Sequence, residues 1–368
     1  MTLKHLLSCL LLLLLFGCPG NDDDIPMPPP PPPPPPPPTG VSFNLDEVPY
    51  DNLSDYRFFT GDLADMEPNE GLLEYEPIST LFTDYAHKAR YIWMPEGSQA
   101  TYNGDGSVLE FPEGSVILKT FFYDNVQPNN DRFIIETRLL YLKDGEWKFA
   151  DYIWNDVQTE ASFNLDGAFK DMSFTDDAGN DRTIEYRIPS EVECLTCHKL
   201  NSNAIPIGPK PQNLNDMLSY RDGTQMNQLS KWQEVGYLDP SLDPSSIATT
   251  VDWEDTSQDL GLRVRSYLDM NCSSCHRDGG HCDYRSMRFA FSESTTPENF
   301  GICVEADEPI SAALSTIVRP GNTAKSVLHY RMTTNEPMSR MPLLGRTIVH
   351  DEAIVMMEEW INSLTSCD

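Results

Sequence analysis

The sequence predicts an α+β chain of several domains, in which an all-β part precedes a mainly helical part. Between residues 41 and 190, β-branched and aromatic runs alternate with Gly and Asp turn signals. This pattern is typical of a sandwich or jelly-roll-like domain. Farther along the chain, apolar residues recur at helical spacing and predict amphipathic helices. A long proline run near the N-terminus separates the folded part from an apolar leader.

Composition limits the classes of function. The chain has 368 residues, of which 57 are acidic and 26 basic, and its formal net charge is −31. A hydrophobic content of 39% with 10% aromatic residues is enough for packed cores, so the chain is not disordered throughout. Such a negative chain has nothing to neutralise a phosphate backbone, and we expect no nucleic-acid partner. The odd number of cysteines, nine, indicates more than one role for them.

The N-terminus predicts export and anchoring. Residues 1–17 resemble a secretory signal peptide, because a basic start precedes an apolar run that is too short to span a membrane. A small residue directly before Cys18 resembles the bacterial lipobox, so we expect a lipid on Cys18, with ordinary signal cleavage as the alternative. Residues 18–40 form a spacer, because Pro28–Pro38 favour a polyproline II rod about 34 Å long. We expect the protein in the cell envelope, at the outer membrane, facing the periplasm or the cell surface.

The β-rich domain is predicted over residues 41–190. Strands are predicted at Val116–Tyr123 and Arg132–Tyr141, the second with clear alternation. An Asp-Gly pair at 144–145 follows the second strand, and such a pair between alternating runs predicts a hairpin. Another hairpin is predicted over Met172–Ile188. No catalytic constellation is evident in this domain.

Two pentapeptides carry the strongest chemical signal. Both have the form C-x-x-C-H, which is the attachment pattern of c-type haem. Thiols at this spacing bond the two vinyl groups of one porphyrin edge, and the adjacent His then ligates the iron. A zinc site or disulfides are the alternatives, but zinc does not explain a His directly after both pairs. The attachment and ligand residues are Cys194, Cys197 and His198 for the first haem, and Cys272, Cys275 and His276 for the second.

The second motif lies in a recognisable frame. Helices are predicted over Asp259–Met270 and over Asp351–Leu364, the latter with its first residue as N-cap. A helix, a C-x-x-C-H, a Met-Pro loop and a terminal helix together resemble a class I cytochrome c, here over residues 251–368. That resemblance makes Met341 the distal ligand of the haem on His276. A thioether ligand raises the reduction potential relative to two His ligands.

The sequence leaves alternatives for both distal ligands. The first haem is predicted to bind in residues 191–250, which are too few for a second cytochrome fold. A helix is predicted over Met226–Val235, and Met226 is the first choice of distal ligand there. Met217, His87 or an open iron position are the alternatives. For the second haem, the alternatives to Met341 are Met338, His329, Met332 and His350.

Three cysteines remain after the leader, the lipid site and the haem motifs. They are Cys282, Cys303 and Cys367. In an oxidising compartment free thiols tend to pair. We expect a disulfide between Cys282 and Cys303, with Cys367 as the alternative partner of either.

The folded chain as a whole resembles a family of bacterial dihaem c-type cytochromes, many of them predicted lipoproteins of unassigned role. The resemblance implies two covalent haems and supplies no reaction. It is carried by stretches that span about residues 50–365. These stretches are Leu81–Ala86, Phe111–Ser115, Cys194–His198, Pro206–Lys210, Asn227–Leu229, Cys272–His276 and Met341–Arg346.

These observations lead to the hypothesis of a lipid-anchored electron-transfer protein. Its acidic surface would steer a basic redox partner toward the haem edge. A haem enzyme of the peroxidase type is the first alternative, if the iron of the first haem has an open position. A second alternative is a β-domain that binds glycan or protein, with the haems as accessories.

Overall fold

A computed structural model describes residues 40–367 of the chain. The predicted signal peptide, the lipidated Cys18 and the proline run lie outside the described residues. Residues 40–367 belong to one compact unit, so the three segments predicted after the spacer pack together. The predicted order is confirmed, because the long strands come first and the longer helices lie toward the C-terminus. No helix within residues 40–367 is long and apolar enough to cross a membrane.

Strands dominate the first half of the described chain, and helices become longer toward its end. The strands are β1 (Phe59–Thr60), β2 (Glu67–Pro68), β3 (Leu73–Glu74), β4 (His87–Trp93), β5 (Val116–Val126), β6 (Asp131–Lys143), β7 (Glu146–Trp154), β8 (Ala161–Phe163), β9 (Ala168–Thr175), β10 (Asp181–Ile188), β11 (Lys199–Leu200), β12 (Asn203–Ala204), β13 (Met217–Ser219) and β14 (Gln225–Asn227). The α-helices are α1 (Glu191–Cys197), α2 (Pro211–Leu214), α3 (Gln228–Glu234), α4 (Leu260–Asn271), α5 (Val327–Thr333) and α6 (Asp351–Ser363). Short 3₁₀ turns lie at Leu53–Tyr56, Leu63–Asp65, Pro244–Ser246 and Thr323–Lys325.

Eight strands form one antiparallel sheet in the order β10-β9-β5-β6-β7-β8, with β4 paired to β5 and β3 paired to β4. Strand β5 organises the sheet. One of its edges pairs with β6, and the other pairs with β4 over residues 116–122 and with β9 at Val126. The strands of the β-rich part pair in this one sheet, and its finer description as a sandwich or jelly-roll-like domain stays a prediction.

Both faces of this sheet are covered by other parts of the chain. One face packs against the N-terminal segment through Leu53 and Tyr56. The other face packs against the segment that follows the first motif, where Leu229 and Trp232 share a cluster with Ile117. Strands β5 and β6 consequently carry long buried runs rather than strict alternation.

Turn chemistry explains both predicted hairpins, which are confirmed. Asp144 and Gly145 have φ angles of 56° and 73°, as a two-residue hairpin turn requires, and Lys143 pairs with Glu146 across it. The second hairpin is β9 and β10, which pair along the whole of Asp181–Ile188.

Helix α4 leads the chain into the second motif. The side chain of Asp259 accepts a hydrogen bond from the N–H of Leu262 at 3.0 Å and caps the helix. Helices α4 and α6 share one buried cluster with α5. The prediction that Asp351 caps α6 is wrong, because Asp351 is the first helical residue and its carboxylate pairs with Arg182 of β10 at 2.9 Å.

A buried ion pair joins the segment after the first motif to α4. The Nζ of Lys210 lies 2.9 and 3.1 Å from the two carboxylate oxygens of Asp269. The same carboxylate accepts hydrogen bonds from the amide of Asn213 and from the N–H of Phe291. Asp269 belongs to α4, so this cluster connects three separate stretches of the chain.

We expect the substitution Lys210→Met to lower the free energy of unfolding by about 3 kcal/mol, because it leaves the buried Asp269 carboxylate without its cation. Lys148→Met, which removes the partner of Glu146 from an exposed pair, is the matched control and should change stability by less than about 1 kcal/mol. Urea unfolding followed by tryptophan fluorescence measures both variants. Equal and small losses would contradict the role given to the buried pair.

Candidate functional site

One cavity of about 400 Å³ is lined by the sheet, by the segment that follows the first motif and by the C-terminal helical part. This volume is within the range of cofactor sites, and the lining is mostly apolar. The structure therefore brings together at one cavity the two motifs that are far apart in the sequence. The motif residues on its wall are Cys194, Cys197, His198, Cys272, Cys275 and His276.

The first motif stands at the end of α1. Ser190 and Glu193 form a capping box at the start of this helix, and the helix ends at Cys197, so His198 leaves it. The Nδ1–H of His198 donates a hydrogen bond to the carbonyl of Ile205 at 2.9 Å, which leaves Nε2 unprotonated. Burial lowers the pKa of His198 to about 4. A neutral imidazole with a free Nε2 is the form that ligates a metal.

The second motif directly follows α4. The N–H of Cys272 closes the last turn on the carbonyl of Leu268 at 2.9 Å. The ring of His276 packs edge-on against Phe289, with 5.4 Å between the ring centroids. The Nδ1 of His276 is buried and has no hydrogen-bond partner among the described residues, and burial lowers the pKa of this His to about 4. A buried nitrogen without a partner costs free energy, so a bound group that satisfies it would stabilise the site.

None of the four motif thiols forms a disulfide, although two of them are in contact. A hydrogen bond between Cys197 and Cys275 lowers the pKa of Cys197 and raises that of Cys275. The Sγ of Cys275 also lies 3.3 Å from the carbonyl oxygen of Thr196. Burial raises the pKa of Cys272 to about 12 and that of Cys194 to about 11. The two attachment motifs are therefore direct neighbours in the cavity wall.

The donor set fits c-type haem. Each such group takes two thiols for its vinyl substituents and one imidazole for its iron, in apolar surroundings, and each motif presents this set to the cavity. A zinc site would need four ligands in one tetrahedral cluster. No group of three or more His, Cys, Asp or Glu side chains within residues 40–367 is placed to hold a metal ion in that way.

Met341, the predicted distal ligand of the second haem, lies on the cavity wall. Its loop is held by Arg346, which is buried and donates hydrogen bonds to the carbonyl oxygens of Met341, Arg331 and Thr334 at 2.9, 3.0 and 2.9 Å. Burial lowers the pKa of Arg346. One buried guanidinium therefore determines where the loop and its sulfur lie.

The alternatives to Met341 differ in position. Met338 lines the cavity but is 86% exposed, whereas Met332 lines the cavity from within the helical core. His350 is also at the wall, and its Nδ1 is hydrogen-bonded to the hydroxyl of Tyr267 at 3.1 Å. His329 is not at the wall and pairs with a glutamate of α6.

Met226, the predicted distal ligand of the first haem, is not on the cavity wall, and its role as a ligand stays a prediction. It pairs with Leu218 in the β13-β14 hairpin and packs into the cluster of Trp232, because the hairpin turns its side chain toward that core. The alternatives are no better placed. Met217 is 52% exposed, and His87 lies beside two aspartates away from the cavity wall.

Sequence reasoning missed a charged wall that the sheet presents to the cavity. Lys119, Arg138 and Asp151 stand opposite one another on β5, β6 and β7, and all three line the cavity. Arg138 is paired with the fully buried Glu136. Both carboxylate oxygens of Asp151 are buried without a hydrogen-bond partner in the described part of the chain. The sequence did contain a signal for this wall. Charged residues occur at alternate positions of strands that are covered on both faces.

The structure corrects the predicted disulfide. Cys303 is bonded to Cys367, with 5.6 Å between their Cα atoms, and Cys282 is free and buried. The physical reason is the path of α6, which returns the C-terminus to Cys303. The ring of Trp360 on α6 packs against Phe300 with 5.3 Å between centroids. The pairing of Cys282 with Cys303 is therefore wrong.

Comparison of the chain with known protein families, with curated proteins and with solved structures gives no match. The resemblance to dihaem cytochromes stays a prediction from the motifs. The residues of the cavity are therefore the basis for a functional assignment.

We expect peptide mapping under non-reducing conditions to recover one cross-linked pair, which contains Cys303 and Cys367. Cys282 should react with an alkylating reagent only after unfolding, because it is buried. Mass spectrometry identifies both products. Cys367→Ser is the control and should release Cys303 as a free thiol. A peptide that links Cys282 to Cys303 would contradict the structure.

Proposed function

We propose that the protein is a dihaem c-type cytochrome that carries electrons in the cell envelope. The observation that carries this proposal is the single cavity onto which both C-x-x-C-H motifs open with four unpaired thiols. Two bound haems would each supply a one-electron couple between Fe(III) and Fe(II). Cys194 and Cys197 would hold the first haem, and Cys272 and Cys275 the second.

The histidines of the two motifs would ligate the haem irons. His198 is oriented by its hydrogen bond to Ile205, which keeps Nε2 available. Met341 would supply a thioether to the iron of the second haem, which would raise the reduction potential there. Arg346 acts as a positioning residue for Met341.

Contacts between the two motif segments support electron transfer between the two sites. The N–H of Asn201 donates a hydrogen bond to the carbonyl of Gly279 at 2.6 Å. Gly279 has a φ of 71°, and a Cβ there would lie 2.6 Å from the Oδ1 of Asn201, so only glycine allows this approach. Together with the contact between Cys275 and Thr196, these interactions keep the attachment sites adjacent. A small separation is what a carrier with two redox centres requires.

The charge of the protein suggests its partner. A chain with a net charge of −31 attracts a basic redox protein over long range. Docking between electron-transfer proteins is typically small and transient. A lipid on Cys18 would hold the protein at the outer membrane, on its periplasmic or surface-facing side. The same charge makes nucleic acid an unsuitable partner.

We expect the full-length protein, produced in a host that attaches c-type haem, to contain two haems per chain in a pyridine haemochrome assay. Replacing Cys194 and Cys197 by Ala should leave one haem, and so should replacing Cys272 and Cys275, because each motif holds its own group. Cys282→Ala is the control and should retain two, since this thiol lies outside the motifs. A haem content below two in the unsubstituted protein would overturn the proposal.

We expect Met341→Ala to remove the far-red absorption band of the oxidised protein and to lower the reduction potential of the second haem, because the thioether ligand is lost. Met338→Ala removes an exposed sulfur of the same cavity and should leave both unchanged. Absorption spectroscopy and a redox titration measure these effects. Loss of the band only in Met338→Ala would reassign the ligand to Met338.

A further inference from the structure

The sheet supplies one candidate donor atom for the first haem. Outside the motifs, every sulfur atom on the cavity wall belongs to a residue that follows the second motif. The two other histidines on the wall, His281 and His350, also follow the second motif. On the side of the sheet and the first motif, the nitrogen-bearing side chains at the wall are His198, Lys119 and the two arginines Arg138 and Arg187. An arginine keeps its proton and has no lone pair to give. The methionines and histidines at the wall after the second motif are Met287, Met332, Met338, Met341, His281 and His350.

Lys119 lacks the partners that a protonated lysine normally has. Its Nζ makes no hydrogen bond and no ion pair within the described residues. Its cross-strand neighbours are Arg90 on β4 and Arg138 on β6, and each of these is already paired with a glutamate. The ring of Phe121, 5.0 Å from Nζ, is the aromatic contact of this amine. An ammonium here faces two cations with no carboxylate of its own, which favours the neutral amine.

Lys119 also lies on the side of the first motif. The ring of His198 packs edge-on against Phe149 of β7, with 5.5 Å between centroids, whereas Lys119 stands on β5. Two strand spacings, about 10 Å, separate β5 from β7, and the cavity occupies this part of the sheet face. Both Lys119 and His198 line this cavity. Burial, followed by the neighbouring cations, lowers the pKa of Lys119 well below its usual value.

We propose that Lys119 would be a second protein ligand to the iron of the first haem, in addition to His198. The proposal rests on the proposed function, because it requires haem attached at Cys194 and Cys197. The neutral amine donates its lone pair to the iron, and the proton of the ammonium passes to solvent. The first site then has an imidazole and an amine, whereas the second has an imidazole and a thioether. Because a thioether raises the potential, the first site is reduced at the lower potential of the two.

The test uses the purified protein with both haems attached. Lys119→Ala should convert one of the two haems from low-spin to high-spin, as seen by electron paramagnetic resonance and absorption spectra, with the second haem unchanged. Lys119→Met provides a gain of signal, since a new thioether ligand should add a second far-red band beside that of Met341 and raise the lower of the two potentials.

Two controls distinguish ligation from a structural role. Lys88 lies on the same sheet face, but it is not at the cavity and its Nζ donates a hydrogen bond to the carbonyl of Ala86 at 2.5 Å. Lys88→Ala should keep both haems low-spin. Tyr75 is a buried hydroxyl on the same cavity wall, and Tyr75→Phe should also leave the spectra unchanged.

The outcomes separate this proposal from the proposed function. A pyridine haemochrome count of two, together with an unchanged spectrum in both Lys119→Ala and Lys119→Met, overturns Lys119 as a ligand and leaves the cytochrome assignment intact. A high-spin first haem in the unsubstituted protein also overturns it, because it indicates an open iron position. A count below two in the unsubstituted protein rejects the cytochrome assignment itself.

Discussion

The ion pair between Lys210 and Asp269 connects the two halves of the site. Both groups are buried, and a charge left unpaired in such surroundings costs several kcal/mol. The segment after the first motif therefore cannot separate from α4 without a large loss of stability. Helix α4 leads directly into Cys272, and Lys210 follows His198 by a short loop that includes β11 and β12. The position of each motif in the cavity thus depends on the same contact.

The sheet has a chemical role as well as a mechanical one. Its inner face places Lys119 at the cavity, beside a row of other charged residues. Just before β4, the carboxylate of Asp84 accepts hydrogen bonds from the N–H groups of Thr347 and Ile348 at 2.6 and 3.0 Å. These bonds fix the chain that follows the Met341 loop. The β-rich part consequently supports the surroundings of both motifs, although it contains neither.

Features that depend on neighbouring residues were predictable from the sequence. The hairpin turn at 144–145, the helix that begins after Asp259 and the C-x-x-C-H pattern each require only a few adjacent side chains. The disulfide and the position of Met226 were not predictable, because they depend on how α6 and the β13-β14 hairpin pack. How the β-rich part is covered was not predictable from the sequence either. Alternation identifies a strand with one buried face, but it does not say whether a second sheet or an irregular segment covers the strand.

The shared cavity limits how this chain can be divided. Helices α4, α5 and α6 all lie after residue 251, yet Leu81 and Phe82 from the β-rich part line the same cavity as this helical part. A fragment that began at residue 251 would lose this wall and would expose apolar surface to water. A segment that carried only one of the two motifs would form only part of the cavity wall and would leave the cavity open to solvent. The wall of this cavity therefore depends on residues from both the β-rich part and the helical part of the described chain.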